Sequence, residues 1–91
     1  MNRKQNIHNL LNNMANELLT YIKEQEHHYE DRWVPSADIK PALDLNFVAV
    51  PKQGKQYGKK GWLFAILARI LEDKNLLQYK KLGGRAFYRS R

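Results

Sequence analysis

Leu76-Leu77-Gln78-Tyr79-Lys80-Lys81-Leu82-Gly83-Gly84-Arg85-Ala86-Phe87-Tyr88-Arg89 decides the fold. Two short runs rich in aromatic and aliphatic residues flank a Gly-Gly pair. Adjacent glycines supply the positive φ that a tight hairpin turn requires. The stretch therefore predicts a β-hairpin, with strands over 76–81 and 86–89 and with Leu77, Tyr79 and Phe87 turned to the core. Gln78, Lys80 and Arg89 are left for water by the two-residue alternation.

Immediately upstream, Gly61-Trp62-Leu63-Phe64-Ala65-Ile66-Leu67-Ala68-Arg69-Ile70-Leu71 changes period. At 100° per residue, Leu63, Phe64, Ile66, Leu67, Ile70 and Leu71 share one broad arc, with Trp62, Ala65, Arg69 and Glu72 opposite. This predicts a helix over about Lys60 to Lys74. Asn75 is its stop, since Asn tolerates the left-handed conformation at a helix end.

Further upstream, Pro51-Lys52-Gln53-Gly54-Lys55-Gln56-Tyr57-Gly58-Lys59-Lys60 holds two glycines, a proline and four lysines, the composition of an exposed loop. The apolar run before it, Phe47-Val48-Ala49-Val50, is too short for its period to classify. Trp33-Val34-Pro35 reads as a short extended piece, because a residue before proline avoids the helical region. Ser36 is a good cap for a short helix reaching about Leu43, interrupted or ended near Pro41. The first element is a helix over about Gln5 to His27. Ile7, Leu10, Leu11, Met14, Ala15, Leu18, Leu19, Tyr21 and Ile22 recur at spacings of three and four.

The order is thus helix, short strand, helix, helix, strand, strand, a mainly α chain with a small β-hairpin in one domain over 1–91. In the Trp33 to Ser36 entry, the 61–71 helix and the Leu82-Gly83-Gly84-Arg85 turn, the chain resembles the winged helix-turn-helix superfamily along nearly its whole length. The resemblance implies that the third helix enters the major groove of DNA and that the hairpin, the wing, touches backbone or minor groove. About fifteen residues lie between the second and third helices, where the superfamily usually has a short turn.

Charge supports a polyanionic partner. The formal net charge is +7. Residues 1–44 hold five basic and seven acidic residues, whereas residues 45–91 hold eleven basic residues and only Glu72 and Asp73 as acids. A field so lopsided attracts nucleic acid. The candidate DNA-contacting residues are Lys52, Gln53, Lys55, Gln56, Lys59 and Lys60 before the third helix, Trp62 and Arg69 on it, and Lys80, Lys81, Arg85 and Arg89 on the hairpin. Lysines next to a helix N-terminus combine with its outward N–H groups to suit phosphate, and Arg85 at the hairpin tip suits a narrow minor groove. The only fork-shaped side chain on the exposed arc of the third helix is Arg69, so backbone contacts should outweigh base reading. If Tyr57 and Trp62 are exposed together, they can stack on unpaired bases. Trp33, Phe47, Phe64 and Phe87 are expected in the core.

Catalysis is not expected. The chain has no cysteine, and no Ser–His–Asp grouping, HExxH or phosphate-binding glycine motif. His27 and His28 point about 100° apart on a helix and make a poor chelating pair. Neither metal nor cofactor is implied. No apolar run is long enough to span a membrane, and no secretory signal is legible, so the cytoplasm is the expected location. A small transcriptional regulator is the leading reading. A winged protein–protein docking or oligomerisation module and an RNA-binding module are the alternatives, and a homodimer through the first helix is left open.

Overall fold

The computed structural model describes residues 2–45, 49–52, 55–57 and 61–91, with side-chain surroundings in the first and last of these stretches. Helix α1 spans Arg3–Gln25 and continues as a tighter turn over Glu26–His28. It begins two residues earlier than its apolar period indicates, because the Asn2 side chain caps it, accepting the Gln5 N–H at 2.7 Å. Strand β1 is Val34–Pro35, and α2 is Ser36–Ala42. Strands β2 (Ala49–Lys52) and β3 (Lys55–Tyr57) follow, then α3 (Trp62–Asp73), β4 (Leu77–Leu82) and β5 (Arg85–Ser90).

Two antiparallel sheets result. One has the order β1-β5-β4, and the other pairs β2 with β3. The second corrects the exposed loop expected over Pro51 to Lys60 at residues 51–52 and 55–57, the part of that stretch that is described. Pro51 argues against a central strand, but a two-stranded sheet consists of edges, where a missing N–H is tolerated. Lys52 pairs with Lys55 and Ala49 with Tyr57, with an irregular register between the two pairs.

The core is built by one stripe from each helix and one face of the larger sheet. Ala15, Leu18, Leu19 and Ile22 of α1 meet Phe64, Leu67, Ala68 and Leu71 of α3, with Ile39, Val34, Leu77 and Tyr88 completing the cluster. The Phe64 and Tyr88 rings pack edge to face at 5.3 Å, the arrangement that aromatic quadrupoles favour. Burial of each such side chain contributes about 1.5–3 kcal/mol.

Helix ends follow their local chemistry. After α2, Leu45 N–H donates to Lys40 O and Asp44 N–H to Pro41 O; after α3, Leu76 N–H donates to Leu71 O and Asn75 N–H to Glu72 O. Both are Schellman closures, with Asp44 and Asn75 at positive φ. Pro41 lies inside α2, one residue before its end. Ser36 is not the cap of α2: Pro35 occupies that position and Ser36 is the first helical residue.

Alternation along β4 and β5 differs from the expected pattern by one register choice. Tyr79 pairs with Tyr88, and Lys80 with Phe87, so Tyr88, not Phe87, faces the core. Phe87 shares the outer face with Gln78, Lys80 and Arg89. Trp33 also leaves the expected core. It sits half-buried against that outer face, with Lys80 Nζ 4.6 Å and Arg89 Cζ 4.2 Å from its ring centre.

Candidate nucleic-acid interface

The hairpin tip is the most projecting candidate element among the exposed residues of β4 and β5. Leu82 pairs with Arg85 across Gly83 and Gly84, whose φ values are 58° and 79°. Two positive φ values in a two-residue turn match the right-handed twist of the flanking strands. A side chain at either glycine would be strained there. Lys81, Arg85 and both glycines are exposed, and Leu82 at the tip is 65% exposed.

A groove of about 470 Å³ separates this tip from the start of α2. Lys40, Lys81 and Arg85 line it together, and Asp38 is the acid on its wall. Asp38 accepts a hydrogen bond from Tyr29 Oη at 2.7 Å. That bond, helped by burial and the nearby negative charge, pushes the Tyr29 hydroxyl up to about 12.

Lys40 is absent from the sequence-derived candidates, because it belongs to the acidic half of the chain. Its place is set by α3. Gly61, the cap of α3, adopts φ 80°, and a Cβ there would lie 3.3 Å from Lys40 Cδ and Nζ. The ammonium stands 5.5 Å from the Phe64 ring centre. Sequence spacing gives no sign of this meeting between α2 and α3.

Lys80 and Arg89 are placed differently. They lie on the outer face of the sheet, bound to aromatic rings, with Lys80 Nζ also 5.6 Å from the Phe87 centre. Arg89 donates from Nε to Gln78 Oε1 at 2.6 Å and from Nη1 to Asp31 O at 3.0 Å. These contacts give Arg89 a structural task, joining β5 to the bend before β1. At that bend Asp31 and Arg32 both hold positive φ, a conformation that costs non-glycine residues roughly 1–2 kcal/mol each. The partly buried Arg32 contacts hold it: Nη1 lies 3.6 Å from Glu26 Oε1 and Nη2 donates to Ser90 O at 3.4 Å. The buried Glu26 carboxylate also accepts the Ser90 backbone N–H.

Arg69 is exposed on α3, as its position on the helical arc predicts, and pairs through Nε with Asp73 Oδ1 at 3.0 Å. A surface pair of this spacing is worth only about 0.3–0.5 kcal/mol and yields readily to a stronger anion. Trp62, the first residue of α3, is half-buried. Lys52, Lys55 and Gln56 belong to the β2–β3 ribbon; Gln53, Lys59 and Lys60 lie outside the described residues.

The groove thus gathers Lys40, Lys81 and Arg85 at the tip, while Lys80 and Arg89 lie over the Trp33 ring. No protein-family model, curated protein or solved structure matches the chain. Among the described residues no helix is long and apolar enough to cross a membrane.

Proposed function

We propose that this chain binds nucleic acid as a winged helix, with duplex DNA as its partner, and works as a small transcriptional regulator in the cytoplasm. The observation that carries the reading is the sheet order β1-β5-β4 ending in an exposed two-glycine tip flanked by Lys81 and Arg85. In a winged helix the first short strand pairs with the returning strand of the hairpin, and the tip projects as a wing. Here the tip is cationic, and the half of the chain that carries it has eleven basic residues against two acids.

In this reading Lys81, Arg85 and Lys40 neutralise phosphates around the wing, releasing counterions. Helix α3 offers Ala65, Ile66, Arg69 and its partner Asp73 as exposed residues. Only Arg69 has fork geometry for a guanine edge, so affinity comes chiefly from backbone contacts.

A labelled duplex titrated by fluorescence anisotropy at rising salt tests this. Log affinity should fall linearly with log salt, with a slope near −0.9 for each phosphate neutralised. Lys81→Glu with Arg85→Glu should weaken binding more than tenfold and flatten the slope. Salt-independent binding, or none to any duplex, refutes the reading. Ile66, 44% exposed on α3, favours the second reading, a protein-docking module, which predicts that the same charge reversals leave partner binding intact.

A further inference from the structure

The N-terminal part of α1 extends past the core. Its first buried residue is Ala15, and Ile7, Leu10 and Met14 before it are 57%, 61% and 40% exposed. Ile7 and Met14 continue at heptad spacing to Tyr21, and Leu10 continues at the same spacing to Glu17 and Glu24. At Met14 the stripe enters an apolar groove of about 430 Å³, floored by Tyr21, Leu43, Leu45 and Leu63 and rimmed by Glu17 and Glu24. Among the described residues, one helix therefore carries an exposed apolar ridge at one end and an apolar groove at the other.

The charges of its first turn run against its own dipole. Arg3 and Lys4 occupy the first turn, which holds no acid, although a helix N-terminus favours negative charge. Near the opposite end, where positive charge is favoured, Lys23 suits the dipole and Glu24 beside it opposes it. An antiparallel second helix reverses both conflicts at once.

We infer that the chain forms a two-fold homodimer in which α1 of each copy packs antiparallel on α1 of the other, Ile7 and Leu10 seating in the second copy's groove. With the axis at Met14, Ile7 faces Tyr21 of the second copy and Lys4 faces Glu24 of the second copy. The contact is isologous: one patch supplies both ridge and groove, so it closes at two subunits. Helix rise places the Lys4-to-Glu24 face along about 30 Å. The inference stands independently of nucleic-acid binding.

Light scattering and sedimentation of the full chain, without nucleic acid, read the outcome. The wild type should be a dimer. Leu10→Glu should raise the dimer dissociation constant at least tenfold while circular dichroism stays unchanged, since Leu10 is exposed. Lys4→Glu alone should weaken the dimer, and adding Glu24→Lys should restore it. Because the chain has no cysteine, oxidation reports the geometry directly. Met14→Cys should cross-link to itself, and Ile7→Cys with Tyr21→Cys should cross-link between copies, whereas Ile7→Cys alone should not. A monomer at every accessible concentration overturns the proposal, as does efficient self-cross-linking of Ile7→Cys, which would show parallel helices.

Discussion

The guanidinium carbon of Arg89 lies 4.2 Å from the centre of the Trp33 ring, with Gln78 Oε1 and Asp31 O taking two of its N–H groups. A residue that sequence assigns to a DNA-facing wing is thereby a brace between β5 and the bend before β1. Cation–π contact and two hydrogen bonds together support a cost of about 2 kcal/mol for Arg89→Ala. Arg85→Ala, at the exposed tip, should stay within about 0.5 kcal/mol of wild type. Urea unfolding of both variants separates brace from binder, and DNA affinity should fall for Arg85→Ala while its stability holds.

Phe64 is the keystone of the helix–sheet contact, buried against Tyr88. Phe64→Ala should cost about 3–5 kcal/mol, much of the stability of a domain this size. Ile66→Ala, two residues on but exposed, should cost under about 1 kcal/mol. Thermal melts followed by circular dichroism compare the two.

Burial pushes the Tyr88 hydroxyl up to about 12, with Glu72 and Tyr79 adding to the rise. The unfolded chain ionises this group near 10. Its contribution is therefore complete below pH 10 and is lost as pH climbs from 10 towards 12, because the unfolded state releases the proton first. Urea midpoints taken across that window should fall with pH, and Tyr88→Phe should flatten the decline. An equal slope in the variant would assign the loss to other groups, Tyr29 among them.

Gly61 caps α3 at φ 80° with the Lys40 chain against it. Gly61→Ala should destabilise by about 1–2 kcal/mol through backbone strain. Gly84→Ala, at φ 79° but with open space around it, meets only the backbone penalty. Denaturant titration should therefore rank Gly61→Ala as equal to or worse than Gly84→Ala.

What sequence conveyed, and what it concealed, follows from how local each signal is. The hairpin turn, the two long helices and the Asn75 stop depend on neighbours within a few residues, and all four are found. The facing of Phe87 was hidden because Ala86-Phe87-Tyr88 offers adjacent aromatics, and only pairing with β4 and β1 chooses between them. The β2–β3 ribbon was masked by its proline and lysines, which suit a loop and a two-edged strand pair equally. Lys40 at the hairpin groove and Trp33 beneath Arg89 depend on contacts between distant segments, which no period records. Of the basic candidates, exposure at Lys81, Arg85 and Arg69 was legible, while the structural employment of Arg89 was not.

Strand β5 lies between β1 and β4, although it is the last of the three along the chain. During synthesis the two outer strands leave the ribosome before the one that joins them. Until residues 85–90 emerge, Val34 has no strand to pair with, and Glu26 awaits a Ser90 amide 64 residues away. Before then the three-stranded sheet cannot close, and the core face that Tyr88 covers against Phe64 lies open.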